Sequence, residues 1–178
     1  MNTGMISMRY AKALLVYSTE NKQDELVYEM AKVVVSNYAS YPQLRHALEN
    51  PVLGIEQKSK LMHAAAGSKT LGAFDKFIHL MLTNKREAYY QSTMLNYIDL
   101  YRAKSNIYSG KLITASQIDA ATEKKLTSVI ESQKEGKLEV QKSVNPDLIG
   151  GFILEVDNTR WDASIKRQLQ TIKNEMYN

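Results

Sequence analysis

The chain has 178 residues, of which 44% are hydrophobic and 24% charged, and it contains no cysteine. This composition is typical of one ordinary globular domain or two small ones. The lack of cysteine excludes disulfides, thiolate metal sites and cysteine nucleophiles. No apolar run approaches the ~20 residues of a membrane-spanning helix, and the N-terminus has no signal or transit peptide pattern. We therefore expect a protein of the bacterial cytoplasmic side that does not insert into the membrane.

The net charge is +4, and all of the positive excess lies in residues 1–104. Nucleic-acid binding requires Lys and Arg to be concentrated on one surface. In this region the cations are instead dispersed among acidic residues, and Lys85-Arg86 is their only adjacent pair. The distribution favours a solvated surface. A basic nucleic-acid-binding module remains the alternative function.

Residues 6 to 104 carry apolar side chains at helical spacing, which predicts an N-terminal six-helix bundle. Asn50-Pro51 ends the third helix and Gly67 the fourth, because proline lacks a backbone N–H and glycine commonly follows a helix C-terminus. The predicted helices lie near Ile6–Ser18, Gln23–Tyr38, Pro42–Leu48, Ile55–Ala66, Leu71–Leu82 and Tyr90–Tyr101.

The pattern changes after Lys104, where Ser105-Asn106 and Ser109-Gly110 mark a boundary. We therefore predict two domains, residues 1–104 and 105–178, and a fold that is mainly α with a small α+β C-terminal domain. The predicted elements of the second domain are a strand over Ile107–Ser116, a helix over Asp119–Lys134, adjoining strands over Leu138–Val144 and Phe152–Val156, a short strand over Arg160–Asp162 and a helix over Ile165–Met176.

No pattern in the sequence indicates catalysis. His46, His63 and His79 lie on three different predicted helices, and no pair has the i, i+4 spacing of a helical metal site. Gly67-Ser68-Lys69-Thr70 lacks the earlier glycine and the preceding strand of a phosphate-binding loop. Gly150-Gly151 permits a β-bulge, an unusual backbone angle or a close approach, and we favour the bulge. We predict no catalytic residue, no metal site and no cofactor.

Eleven tyrosines raise the alternative of stacking on nucleic-acid bases. Tyr10 and Tyr17, however, share one helical face, and Tyr90, Tyr97 and Tyr101 share another. This spacing is typical of a core or a protein interface, where the ring is buried and the hydroxyl keeps a polar partner. We therefore favour a core or a protein interface over a base-stacking surface for these tyrosines.

Residues 9–14 read RYAKAL, and VNPDLIGGF at 144–152 is followed by DASIKRQL at 162–169. These segments resemble the first helix and the C-terminal signature of the ATP synthase delta (OSCP) family, and the resemblance covers nearly the whole chain. Asn145 and Ala163 replace the family's usual Asp and Gly: Asn keeps a turn-forming side chain, and Ala163 indicates that positive φ is not required there or is tolerated with modest strain. The signature residues are Pro146, Asp147, Leu148, Gly150, Gly151, Phe152, Asp162, Ser164 and Leu169.

The resemblance implies a non-catalytic stator subunit of a rotary proton-translocating ATP synthase, with a role in ATP synthesis and ion transport. One copy would link the N-terminal segments of the alpha subunits in the catalytic head to the C-terminal ends of the b subunits in the peripheral stalk, and would resist the rotor's torque. It implies a peripheral protein on the cytoplasmic face of the bacterial inner membrane, monomeric on its own, that binds no nucleic acid.

In this family an amphipathic helix of the alpha subunit lies between the first and fifth helices of the bundle. Such helix-in-groove binding uses apolar anchors at i, i+3, i+4 and i+7. Some candidates must face the bundle's own core instead, and spacing does not separate the two sets. The resemblance gives the candidates Tyr10, Ala11, Ala13, Leu14, Tyr17, Phe74, Ile78, Met81 and Leu82.

Overall fold

The structure is a computed structural model that describes residues 3–67, 72–116, 136–156 and 159–177. It divides into two compact units, Met1–Ala103 and Lys104–Asn178. The described residues are mainly helical and include a small four-stranded sheet, which confirms the predicted mainly α class. Within these ranges none of the helices has both the length and the apolar character that crossing a bilayer requires.

Helices separated by short turns make up the first unit. Gly67 follows the fourth helix with a φ of 92°, a conformation that glycine adopts without strain. A short 3-10 helix at Glu87–Tyr89 precedes the sixth helix. The helices are α1 (Thr3–Glu20), α2 (Asp24–Ser40), α3 (Gln43–Glu49), α4 (Ile55–Ala66), α5 (Gly72–Thr83) and α6 (Tyr90–Ser105).

Buried tyrosines on α2 and α6 form part of the core of the first unit. Tyr90 OH donates to the carbonyl oxygen of Met62 at 3.1 Å, and Tyr97 OH donates to that of Asp24 at 3.1 Å. Burial raises the pKa of both phenols above the ordinary value. The rings of Tyr28 and Tyr101 stack with centroids 4.5 Å apart. Their burial fits the core role and removes these rings from any base-stacking surface.

The sheet of the second unit has strands β1 (Ile107–Thr114), β2 (Lys137–Val144), β3 (Phe152–Val156) and β4 (Thr159–Asp162) in the order β2-β1-β3-β4. Strand β1 pairs parallel with β2 and antiparallel with β3, and β3 pairs antiparallel with β4. A 3-10 helix at Pro146–Leu148 precedes β3, and α7 (Ile165–Tyr177) follows β4. The prediction that β2 and β3 adjoin is wrong, because alternation identifies a strand but not its neighbour.

One face of the sheet carries the buried Leu112, Leu154 and Val156, against which Tyr108 and Phe152 pack. Side chains alternate along each strand, so their sequence neighbours lie on the opposite face. The helix predicted over Asp119–Lys134 lies outside the described residues.

Gly150 and Gly151 form a bend before β3, and the predicted β-bulge is not present. Strand β3 pairs with β1 in unbroken register from Phe152 onward. Gly151 has a φ of 75°, and a Cβ on it would collide with the carbonyl oxygen of Ala163. The structure therefore shows the two alternatives to a bulge, because the glycines allow a positive φ and a close approach of two backbone segments. Ala163 itself is not among the described residues with positive φ, so alanine is unstrained there.

Candidate functional site

A groove with a volume of about 490 Å³ lies between α1 and α5. Each helix contributes residues at i, i+3, i+4 and i+7, the spacing of one helical face. Among the lining residues only Lys76 is charged, so the walls are mainly aliphatic and aromatic. The lining residues are Tyr10, Ala13, Leu14, Tyr17, Ala73, Lys76, Phe77 and Leu80.

Each end of the groove has a polar contact between a tyrosine of α1 and a residue in or just after α5. Lys76 Nζ donates to Tyr17 OH at 2.8 Å and lies 5.5 Å from the centroid of that ring. At the other end Asn84 Nδ2 donates to Tyr10 OH at 3.1 Å. The two helices therefore run antiparallel. The hydrogen bond with Tyr17 raises the pKa of Lys76 above its ordinary value.

Four of the five predicted residues of α1 line this groove. Tyr10 and Tyr17 are half-buried and Ala13 is exposed, so these three side chains are accessible to a partner. Leu14 is buried and forms part of the floor. Ala11 is fully buried in the core and does not line the groove.

The predicted residues of α5 lie in the core of the first unit. Phe74, Ile78 and Met81 are fully buried, Leu82 is nearly so, and none of the four lines the groove between α1 and α5. These four buried residues form the core row of α5, and the residues of α5 that line the groove form its groove row. The two rows are offset by one residue, which turns a side chain about 100° around the helix axis.

Sequence reasoning missed the α5 wall of the groove, which contains Phe77 and Leu80 together with Lys76. Leu80 is 47% exposed, whereas the residues of the core row are buried. Both rows are apolar enough to look like anchors. Lys76 was the available signal, because a lysine is rarely buried without a partner and therefore marks the row that faces solvent.

The C-terminal signature organises the turns on either side of β3 and β4. Asn145 Oδ1 accepts a hydrogen bond from Asp147 N at 3.0 Å, so asparagine forms this turn as expected. Asp162 Oδ1 accepts from Ser164 N at 3.1 Å and from Ser164 Oγ at 2.6 Å. These bonds, the side-chain one foremost, lower the pKa of Asp162. Ser164 Oγ in turn accepts from Arg167 N at 3.2 Å and caps α7.

Most of the other signature residues also have conformational roles. Pro146 begins the 3-10 helix, and Leu148 is buried. Phe152 packs against the buried face of the sheet, and the two glycines allow the close approach before β3. Leu169 differs, because its side chain is exposed on α7.

Helix α7 presents an exposed apolar stripe. Its members alternate at spacings of four and three residues, the spacing of a coiled-coil seam. Lys166 and Lys173 follow two of them directly in the sequence and flank the stripe. A line of exposed apolar side chains is typical of a contact with another helix. The stripe consists of Ile165 (41% exposed), Leu169 (52%), Ile172 (53%) and Met176 (81%).

The histidines lie apart from both surfaces. His63 Nε2 lies 3.1 Å from Asp75 Oδ1 and His63 Nδ1 lies 2.7 Å from the carbonyl oxygen of Ser59, so His63 connects α4 to α5. His46 and His79 are exposed. Across the described ranges no group of three or more His, Asp or Glu is arranged to hold a metal ion. Ser68-Lys69-Thr70 lies outside those ranges.

The family model and the relatives that match this chain give the same family. The family model described as "ATP synthase delta (OSCP) subunit" matches residues 6–176. ATP synthase subunit delta of Phocaeicola vulgatus is 38% identical over 174 residues, which cover 97% of this chain and 94% of the relative. The same subunit of Bacteroides fragilis is 37% identical over 175 residues, with 97% and 94% covered.

The fold also matches a solved structure. A chain of the cryo-EM structure of the Toxoplasma gondii mitochondrial ATP synthase hexamer superimposes with a TM-score of 0.65 at 16% identity, and the match covers 97% of both chains. The family match over residues 6–176 and the two relatives agree with the prediction of a non-catalytic subunit with a role in ATP synthesis and ion transport. The chain belongs to the ATP synthase delta (OSCP) subunit family.

Proposed function

We propose that this chain is the stator subunit that links the alpha subunits of the catalytic head to the b subunits of the peripheral stalk in a rotary proton-translocating ATP synthase. In this proposal residues 1–104 act as a six-helix bundle that binds the head, and residues 105–178 contact the stalk. The observation that carries the proposal is the apolar groove between α1 and α5.

The groove is suited to an amphipathic helix of an alpha-subunit N-terminal segment. Ala13 and Ala73 leave room for the occupant's side chains, and Leu14 supplies an apolar floor. Phe77 and the partly exposed Leu80 form one wall. Burying apolar surface contributes roughly 25 cal/mol per Å², so such a helix gains affinity along the whole groove.

The exposed stripe on α7 is the surface that we propose for the b subunits. Its coiled-coil spacing suits a long partner helix, and Lys166 and Lys173 favour acidic side chains beside the partner's apolar seam. Leu169, a signature residue, lies within the stripe.

The function is mechanical, since no bond is made or broken by the subunit itself. The stator must stay attached while rotation loads the head, so a slow dissociation rate is the important quantity. Large apolar contacts with aromatic anchors lower dissociation rates more than exposed charges do. We place one copy of the chain in each complex, as a peripheral protein at the cytoplasmic face of the bacterial inner membrane.

Calorimetry of the full chain with a synthetic N-terminal peptide of the cognate alpha subunit tests the groove. Leu80→Ser removes a groove residue that is 47% exposed, and Leu95→Ser on α6 is its matched control at 44% exposure. We expect the control to bind like the wild type and Leu80→Ser to bind about tenfold more weakly, a loss of about 1.4 kcal/mol. No binding by the wild type, or equal losses in both variants, would contradict the proposal.

A further inference from the structure

We propose that Lys76 sets the direction in which a helix lies in the groove, by pairing with a carboxylate at one end of the occupant's apolar stripe. The occupant is thus an amphipathic helix of a partner protein with an acidic residue placed to meet the Tyr17 end. This inference rests on the proposed function of the groove and adds the residue that makes binding directional.

The two ends of the groove differ in charge. At one end the ammonium of Lys76 contacts Tyr17, and at the other the neutral amide of Asn84 contacts Tyr10. Tyr10 and Tyr17 are seven residues apart on α1, so the ends are separated by about 10 Å, or two helical turns. A helix bound in either direction would meet the same apolar walls but different ends.

Lys76 is available to a ligand. Its side chain is exposed, and among the described residues no carboxylate forms an ion pair with it. An ammonium group has three N–H donors, and the bond to Tyr17 OH uses one of them. The phenol also holds the ammonium beside its ring, which limits the side-chain entropy that a partner carboxylate would have to overcome.

Charge then discriminates between the two directions. In one direction the occupant's carboxylate meets Lys76 and forms a charge-assisted hydrogen bond. In the other direction the carboxylate meets the neutral Asn84 end, and an apolar part of the occupant covers the ammonium of Lys76. Partial desolvation of an unpaired cation is unfavourable, so the reversed direction loses an attraction and also incurs a cost.

The test uses the full chain and the N-terminal peptide of the cognate alpha subunit, with versions of the peptide in which each acidic residue is replaced singly by its amide. Lys76→Met keeps an unbranched side chain and removes the charge, and Lys76→Arg keeps the charge. Lys12→Met, at an exposed lysine of α1 that does not line the groove, is the control. Unchanged melting temperatures show that the variants remain folded.

We expect Lys76→Met to weaken binding of the unmodified peptide about fivefold, whereas Lys76→Arg and Lys12→Met bind nearly as the wild type does. One amide peptide should bind the wild type about fivefold more weakly than the unmodified peptide does. The same peptide should bind Lys76→Met as tightly as the unmodified peptide does, and this result identifies the paired acid. A paramagnetic label at the peptide terminus nearer that acid should broaden the amide signal of Tyr17 more than that of Tyr10. In Lys76→Met this preference should disappear.

The failures are distinguishable. If the wild type binds the peptide and Lys76→Met binds the unmodified peptide just as tightly, Lys76 does not set the direction and the groove assignment stands. If the label shows the same orientation in both proteins, the inference is likewise wrong. If the wild type binds no peptide, the proposed function of the groove fails, and the inference fails with it.

Discussion

Lys58 and Glu87 form an ion pair that joins α4 to the short 3-10 helix before α6, and solvent barely reaches either side chain. The side chain of Lys58 is 8% exposed and that of Glu87 15%. The second carboxylate oxygen of Glu87 is buried and has no hydrogen-bond partner among the described residues. The attraction of Lys58 therefore offsets most of the desolvation cost of burying this carboxylate.

Replacing Lys58 alone should destabilise the first unit strongly. Lys58→Met leaves the Glu87 carboxylate buried and unpaired, and we expect it to lower the free energy of unfolding by about 3 kcal/mol. The double variant Lys58→Met/Glu87→Leu should recover much of that loss, because no buried charge remains. Urea unfolding followed by far-ultraviolet circular dichroism measures both values. Lys60→Met, at an exposed lysine of α4, is the control, and a loss of equal size there would contradict the prediction.

The two rows of α5 should respond differently to truncation. Phe74→Ala removes a fully buried ring, and we expect the free energy of unfolding to fall by about 3–5 kcal/mol. Leu80→Ala removes a side chain that is half in solvent, so its effect on unfolding should stay within about 1 kcal/mol. Chemical denaturation of the two variants decides the matter, and similar losses in both would mean that the rows are assigned wrongly.

Adjacent glycines in the second unit should differ in their tolerance of a methyl group. Gly151→Ala sets a Cβ against the backbone carbonyl of Ala163 at a positive φ, and the backbone conformation alone costs about 1–3 kcal/mol. Gly150→Ala meets the side chain of Ile165, chiefly its terminal Cδ1, and a side chain can change rotamer where a backbone carbonyl cannot move. Trp161 is the single tryptophan and lies in β4, so its fluorescence reports unfolding of this unit. An equal shift of the unfolding midpoint in both variants would refute the distinction.

Asp162 should make the second unit sensitive to acid. Its hydrogen bonds with Ser164 lower its pKa in the folded state. A carboxyl with a lowered folded pKa contributes stability that is fully present above the unfolded value of about 3.9 and is lost as pH falls through the folded value. Asp162→Asn should therefore be less stable than the wild type at pH 7, and the difference should shrink toward pH 3. Trp161 fluorescence in urea measures it, and a difference independent of pH would count against this role.

Helical periodicity identified α5, but it did not identify the face of α5 that lines the groove. Phe74, Ile78 and Met81 form one apolar row, and Phe77 and Leu80 belong to the next. The apolar pattern of a helix identifies its more apolar face, and in α5 that face packs in the core. The groove side becomes visible only when a second helix lies beside it, because its walls come from two separate segments of the chain.

The strands illustrate a similar limit. Alternation located β2 and β3, and local turn chemistry correctly gave Asn145 its role. Neighbours in the sheet depend on contacts between distant residues, which no local pattern records. The bulge prediction at Gly150-Gly151 is wrong for the same reason. The requirement for glycine comes from a close approach to Ala163, which lies on a later segment of the chain.

The central place of β1 has a consequence for biosynthesis. Strand β1 is made first but finds its hydrogen-bonding partners only in β2 and β3, so a ribosome must extend the polypeptide as far as Val156 before both edges of β1 are paired. The first compact unit, by contrast, ends at Ala103, so all of its residues are synthesised before β1 begins. During synthesis the helices can therefore assemble early, whereas the backbone amide and carbonyl groups of β1 remain accessible to water or to chaperones until β2 and β3 have been made.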